Sequence, residues 1–154
     1  MHLVGPDLQR RAECEAVLRT LPRWFGIEES LLIYARDSET MPTFAIEDQG
    51  TLHAFITLNK HFLESWEVHC IAVAASKRGA GFGKQLLKHA EAWTRGQGAQ
   101  FLQIKTIAAS SPSPEYAETR QFYEAMGYVP LEIFPTLWSA RNPALQLIKA
   151  LSAA

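Results

Sequence analysis

A glycine-rich stretch at residues 78–84, Arg-Gly-Ala-Gly-Phe-Gly-Lys, constrains the fold of this chain more than any other segment. It follows the apolar run Ile71-Ala72-Val73 and leads into an amphipathic segment at residues 84–93. This order predicts a strand, a tight turn and a helix, because glycine adopts backbone conformations that other residues avoid. The first N–H groups of such a helix have no intrahelical partner and lie at the positive end of its dipole, so the turn would bind an anion.

The charges and the spacing around the glycines favour a phosphate-bearing ligand but exclude two well-known phosphate loops. Residues 74–90 contain no acidic residue and four basic ones, Lys77, Arg78, Lys84 and Lys88. A nucleotide P-loop would need glycine at position 78 and Ser or Thr at position 85, where Arg78 and Gln85 stand. The dinucleotide fingerprint G-x-G-x-x-G would need one more residue between the last two glycines. A strand-to-helix turn that binds no ligand is the alternative interpretation.

The pattern that does fit, R-x-x-G-x-G at residues 78–83, resembles the pyrophosphate-binding loop of the GNAT superfamily of acetyl-CoA-dependent N-acetyltransferases. Residues 119–128 resemble a second motif of that family, A-x-x-x-Y-x-x-x-G-F/Y, at the expected distance downstream. Thr119 stands where Ala is common, and Tyr116 stands where many members have an Asn that contacts the cofactor. Tyr116 would instead cover the pantetheine arm, line the acceptor pocket or pack at a helix N-terminus.

The resemblance implies an α/β (α+β) fold with a mixed, mostly antiparallel central sheet flanked by about four helices. The hydrophobic pattern predicts the order α-α-β-β-β-α-β-α-β-β. Helices are expected at residues 7–20, 28–36, 84–93 and 116–126, and strands at residues 43–47, 52–58, 66–73, 101–106, 128–133 and 145–149. Residues 1–4 are the candidate for one further strand that the family has at its N-terminus.

Composition predicts one domain over residues 1–154, because 154 residues that are 47% hydrophobic suffice for one core. The net charge of −1, with basic residues dispersed outside the glycine-rich stretch, argues against a nucleic-acid partner. No apolar run suits a membrane span or an export signal, so a cytoplasmic protein without a membrane partner is expected. Cys14 and Cys70 lack C-x-x-C spacing, which predicts reduced structural thiols. No metal is expected, and a homodimer is left open.

Acetyl transfer from a thioester to an amine needs a free-base amine, a polarised carbonyl, an oxyanion site and a proton for the thiolate. The resemblance makes Tyr123 the acid that protonates the thiolate; core packing is its alternative role. Glu67 stands at the offset of the catalytic Glu of the histone acetyltransferase branch and is the preferred general base. His69 or a water is the alternative base, and Glu67 would then be a strand-end carboxylate in water or in a salt bridge. Strict alternation along the strand would put Glu67, His69, Ile71 and Val73 on one face.

The resemblance also implies that backbone groups hold acetyl-CoA. The Ile71 N–H would polarise the acetyl carbonyl, and Val73 would pair with the pantetheine amide as a neighbouring strand does. Residues 78–84 would surround the pyrophosphate. The expected cofactor-binding residues are Ile71, Ala72, Val73, Arg78, Gly79, Ala80, Gly81, Phe82, Gly83 and Lys84.

Two aromatic segments, residues 23–27 and 134–138, correspond to regions that shape the acceptor site in this superfamily. Glu28 and Glu29 adjoin the first, which would suit a cationic acceptor with an apolar part, although the aromatic side chains would equally cover the edge of the core. The expected function is therefore direct acetyl transfer from acetyl-CoA to a primary amine of a small molecule or peptide in a ternary complex. The alternatives are a catalytically inactive acyl-CoA-binding or regulatory module and, weakest, an ATP-using phosphotransferase.

Overall fold

Helices cover both faces of one mixed β-sheet in the computed structural model, which describes residues 1–151. Within those residues there are seven strands and four α-helices. In chain order they are β1 (His2–Val4), α1 (Arg11–Arg19), α2 (Glu28–Asp37), β2 (Thr43–Asp48), β3 (Thr51–Lys60), β4 (Ser65–Val73), α3 (Phe82–Gly96), β5 (Phe101–Ile107), α4 (Pro114–Ala125), β6 (Val129–Ser139) and β7 (Asn142–Ala150). The predicted fold class is confirmed, and residues 2–4 supply the additional N-terminal strand.

Two predicted element bounds are wrong for reasons that lie outside local sequence. The first helix begins at Arg11 rather than near residue 7, because the Thr43 N–H donates to the Pro6 carbonyl (2.9 Å) and holds residues after β1 against β2. Strand β6 continues to Ser139, well past residue 133, because it pairs with β7 in a long hairpin. Residues 134–138 therefore lie in a strand rather than in a loop.

The order of strands in the sheet is β1-β2-β3-β4-β5-β7-β6. Every neighbouring pair is antiparallel except β4 and β5, which run parallel. Their register covers only residues 65–68 against residues 101–104. Beyond that point β4 stays paired with β3 and β5 with β7, so the sheet divides into two halves.

An extra residue in β4 reverses the alternation of its side chains. Thr57 of β3 pairs with Cys70 and Leu58 pairs with Val68, so His69 forms a β-bulge. The expectation that four alternate residues share one face is therefore wrong. Strand pairing across a bulge is a non-local property, which a single strand's pattern does not reveal.

Two cores lie on opposite faces of the sheet. One contains Leu86 and Leu87 of α3, and Ile71 and Val73 of β4 pack against it. The other contains Cys14, Val17 and Leu18 of α1 with Cys70 and Ala72 of β4. Because of the bulge, Ile71 and Val73 face α3, whereas His69 contacts α2 on the opposite face.

Candidate active site

A cleft of about 1020 Å³ opens where β4 and β5 separate. Its lining comes from β4, the β4–α3 loop, β5, α4, the α1–α2 segment and the end of the β6–β7 hairpin. Of the ten predicted cofactor-binding residues, nine line this cleft: Ile71, Ala72, Val73, Arg78, Gly79, Gly81, Phe82, Gly83 and Lys84. Ala80 is exposed and does not line it.

The N-terminus of α3 presents backbone donors to the cleft. Gly81 precedes the helix in a left-handed conformation, with φ of 84°, and provides no side-chain cap. A Cβ there would meet no atom within 4 Å, which leaves room for a ligand close to the backbone. Within residues 1–151, the N–H groups of Phe82, Gly83 and Lys84 have no hydrogen-bond partner. These donors, with the helix dipole behind them, form a site that fits a phosphate.

Arg78 of this loop is held by an aromatic and an acidic neighbour. The Arg78 guanidinium lies 4.3 Å from the centre of the Trp24 ring, and one of its nitrogens lies 3.8 Å from a Glu118 oxygen. Trp24 is in turn fixed to α4, since its indole N–H donates to Thr119 (3.2 Å) and the Tyr116 hydroxyl donates to its carbonyl (2.9 Å). Tyr116 lines the cleft, and its contact joins α4 to the α1–α2 segment, whose Trp24 in turn contacts Arg78 of the loop.

The free edge of β4 also offers backbone donors. The Ala74 N–H donates to the His53 carbonyl (2.8 Å), toward β3. Because successive N–H groups of a strand point to opposite edges, those of Val73 and Ile71 point away from β3 and into the cleft. An extended ligand lying in the cleft can therefore pair with β4 as an added strand would.

Tyr123 projects from α4 into the same cleft, and its side chain is almost buried, at 5% exposure. Its ring packs against Tyr128, with ring centres 6.2 Å apart, and against Phe122. Burial raises the pKa of the Tyr123 phenol above its ordinary value. The hydroxyl is therefore protonated at neutral pH and can donate a proton to a group in the cleft.

Glu67 lies beside the cleft rather than among its lining residues. One carboxylate oxygen is 2.6 Å from the His61 Nε2, and the other accepts from the Lys105 ammonium at 3.0 Å. The side chain is 13% exposed. Lys105, which the sequence did not single out, lines the cleft and is the contact between Glu67 and the lining residues.

The bulge residue His69 lines the cleft and is oriented by α2. Its Nε2 lies 2.9 Å from an oxygen of Asp37, whose other oxygen accepts from Arg36, also at 2.9 Å. A carboxylate only accepts hydrogen bonds, so in the neutral imidazole Nε2 donates to Asp37 and Nδ1 keeps its lone pair. Asp37 was not among the site residues predicted from sequence. The sequence feature that could have marked it is a carboxylate in the last turn of a predicted helix, where the helix dipole disfavours negative charge.

The predicted acceptor segments contribute in part. Trp24, Phe25 and Ile27 line the cleft from one side, and Leu137 and Trp138 line it from the other. Glu28 instead forms a bidentate ion pair with Arg19 (2.7 and 3.0 Å), and neither Glu28 nor Glu29 lines the cleft.

Neither a metal-ligand cluster nor a helix suited to span a membrane is evident in the part of the chain that the structure describes. No three His, Cys, Asp or Glu side chains of residues 1–151 come together as metal ligands would. No helix in the same range is long and apolar enough to cross a bilayer. Cys14 and Cys70 are free and buried, which confirms the prediction of unpaired thiols.

The sheet divides beside a glycine loop and an uncapped helix, which defines an α/β fold with a cleft that has room for an extended ligand. Residues 39–130 match the family model described as the acetyltransferase (GNAT) domain, and the chain therefore belongs to the GNAT acetyltransferase family. A search of curated proteins found no match.

Solved structures share the fold over nearly the whole chain. One is a protein from Desulfovibrio desulfuricans assigned to the GNAT family, with a TM-score of 0.87 at 15% identity, covering 98% of this chain and 99% of that one. An aminoglycoside 6′-N-acetyltransferase complexed with coenzyme A has a TM-score of 0.77 at 20% identity, covering 100% and 99%. The ribosomal-protein-S18-alanine N-acetyltransferase from Escherichia coli has a TM-score of 0.73 at 21% identity, covering 99% and 96%. At these identities the similarity concerns the fold.

Proposed function

We propose that this protein transfers the acetyl group of acetyl-CoA to a primary amine of a small molecule or peptide, by direct attack in a ternary complex. The observation that carries the proposal is the convergence of three features on one cleft. These are the uncapped N-terminus of α3, the inward-pointing N–H groups of β4 and the protonated Tyr123. A single domain and a cytoplasmic location are parts of the same proposal.

Different cofactor-binding residues would contact different parts of acetyl-CoA. The loop from Arg78 to Lys84 would hold the pyrophosphate through N–H groups and basic side chains, and Val73 would pair with the pantetheine arm. The Ile71 N–H would donate to the carbonyl oxygen as negative charge develops on it. When bound, acetyl-CoA supplies the activated thioester. A relative's structure with coenzyme A supports this choice of ligand.

Tyr123 is proposed as the acid. Its hydroxyl has no hydrogen-bond partner within residues 1–151, so its proton is not committed to another protein group. Burial keeps the phenol protonated at neutral pH, so Tyr123 is available to donate a hydrogen bond and then its proton to the sulfur as negative charge develops there; the proton that the amine loses on attack restores the phenol.

Two residues of β4 are proposed for the general base. Glu67 is the predicted one, and it would act through a water because Lys105 and His61 occupy both carboxylate oxygens. His69 is favoured by its contacts, since it lines the cleft and Asp37 fixes the tautomer that leaves Nδ1 able to accept a proton.

The first experiment is calorimetric titration of the purified full chain with acetyl-CoA, with ATP and NADH as controls, followed by a thiol-release assay on amines. Acetyl-CoA binding with silent controls and amine-dependent thiol release would support the proposal. Binding without thiol release would favour the inactive acyl-CoA-binding module. Equal binding of ATP would mean that the glycine loop has been misinterpreted.

A further inference from the structure

We infer that the acceptor is a primary amine with a single positive charge and an aromatic or aliphatic body, and not a polycation such as an aminoglycoside or a polyamine. This inference rests on the proposed acetyl transfer and specifies its acceptor. It is carried by the residues lining the cleft at the end away from the α3 N-terminus.

An aromatic wall leads to the proposed base at that end. The rings of Phe25 and Tyr34 meet edge to face, with centres 5.8 Å apart, and Tyr34 meets His69 in the same way at 5.3 Å. All three residues line the cleft. An amine whose nitrogen reaches His69 would therefore place its carbon body against Phe25 and Tyr34.

The opposite wall is apolar and exposed. Leu137 and Trp138, at the end of β6, line the cleft with 54% and 45% of their surface accessible. Two large apolar side chains on an edge strand expose surface that an apolar ligand would cover. An aromatic body between the two walls would remove apolar area from water on both sides.

A polycation would find no free carboxylate there. Among the described residues that line the cleft, Glu118 is the only acidic one, and it lies at the phosphate-binding end beside Arg78. Three nearby carboxylates outside the lining are already paired: Asp37 with Arg36 and His69, Glu67 with Lys105 and His61, and Glu28 with Arg19. Glu29, which has no ion pair among the described residues, does not line the cleft. Each additional ammonium group would lose hydration without gaining a partner, which is costly in a partly buried site.

The test is calorimetric titration of the full chain, saturated with coenzyme A, with phenethylamine, tryptamine, ethylamine, spermidine and kanamycin. Phenethylamine and tryptamine should bind about 30-fold more tightly than ethylamine, because of the apolar area that they bury. Kanamycin and spermidine should bind at least about 10-fold more weakly than phenethylamine. Thiol release from acetyl-CoA is measured with the same amines.

A pair of variants on one strand sharpens this test. Leu137→Glu places a carboxylate at the cleft and should weaken phenethylamine binding while strengthening spermidine binding about 5-fold. Leu131→Glu is the matched control, since Leu131 is similarly exposed on β6 at 58% but does not line the cleft, and it should change neither.

The outcomes separate this inference from the proposed function. Preferential binding of the aromatic amines without thiol release would support the acceptor class and contradict acetyl transfer. Thiol release with kanamycin or spermidine as good as with phenethylamine would overturn the acceptor class and leave acetyl transfer standing. Failure of every amine to bind the coenzyme A-saturated protein would overturn the inference.

Discussion

Two buried tyrosines that lie five residues apart have different surroundings and, we expect, different roles. Tyr128 donates its hydroxyl to a Glu91 oxygen at 2.8 Å, on the side of the sheet where Lys149 also pairs with Glu91. Tyr123 faces the cleft, and its hydroxyl has no partner within the described residues. The same chemical change at the two positions therefore distinguishes catalysis from stability.

Tyr123→Phe should lower kcat by about 100-fold or more while acetyl-CoA binds with unchanged affinity, because only the proton donor is lost. Tyr128→Phe should cost about 1 kcal/mol in the free energy of unfolding, through its lost hydrogen bond, and leave kcat unaltered. Steady-state kinetics and urea unfolding of both variants check this. Full turnover by Tyr123→Phe would remove Tyr123 from the mechanism.

The identity of the base is a second residue-scale prediction. Because the amine must lose a proton before it attacks, removing the base should reduce the rate most at low pH, where free amine is scarce. We expect His69→Gln to lower kcat/KM by about 100-fold near pH 6 and Glu67→Gln to have the smaller effect. Rate profiles from pH 6 to 9 compare them. A larger loss for Glu67→Gln would restore Glu67 as the base.

The candidate site residues that could be predicted from sequence belong to motifs that are continuous in the chain. The glycine loop and Tyr123 each belong to a run of about ten residues, so their placement follows from local order. The Asp37–His69 pair joins residues that are 32 positions apart in different elements. The ion pair between Lys105 and Glu67 likewise joins two different strands, β5 and β4, which run parallel.

At the scale of elements, the strand–loop–helix unit from β4 to α3 was predicted well because hydrophobic period and glycine positions act locally. The start of α1 and the length of β6 were missed since each depends on pairing with a distant strand. The bulge in β4 also depends on pairing with another strand. Because of it, His69 does not share a face with Ile71 and Val73, although strict alternation predicts that it would.

The loop between β4 and α3 supports a prediction with a matched control. Gly81→Ala forces a side chain into the left-handed region and should cost about 1 kcal/mol of stability and weaken acetyl-CoA binding about 10-fold. Gly96→Ala, at the end of the same helix with no atom within 4 Å of the added Cβ, should be neutral or stabilise by up to about 1 kcal/mol. Thermal unfolding and calorimetry measure both changes; equal effects would contradict this account of Gly81.

At the scale of the whole molecule, buried acidic groups predict sensitivity to alkali. Burial raises the pKa of the Cys14 thiol to about 11, and it also raises those of Cys70, Tyr34, Tyr123 and Tyr128. Above pH ~8.5, thiols ionise in the unfolded chain but stay protonated in the fold, so the unfolded state binds fewer protons. The free energy of unfolding therefore falls as pH rises, and it is unaffected by these groups below that range.

Between pH 9 and 10 we expect each buried thiol to account for a loss of about 1 kcal/mol in the free energy of unfolding. Urea unfolding under reducing conditions at several pH values measures this loss. In the double variant Cys14→Ala/Cys70→Ala the decline should begin about one pH unit later, when tyrosines ionise. An identical decline in the variant would show that the thiols are not responsible.

The division of the sheet also has a mechanical consequence. Within residues 1–151, the two half-sheets meet through the four-residue pairing of β4 with β5 and through two adjoining backbone hydrogen bonds, in which the Gln100 and Phe101 N–H groups donate to the Glu64 carbonyl. A pantetheine arm lying along β4 would fill part of the gap between β4 and β5. Bound coenzyme would then act as an added strand that is lost when the coenzyme dissociates. The stiffness of the molecule, and the ease with which its two halves rock about residues 65–68, would then vary with the amount of coenzyme in the surroundings.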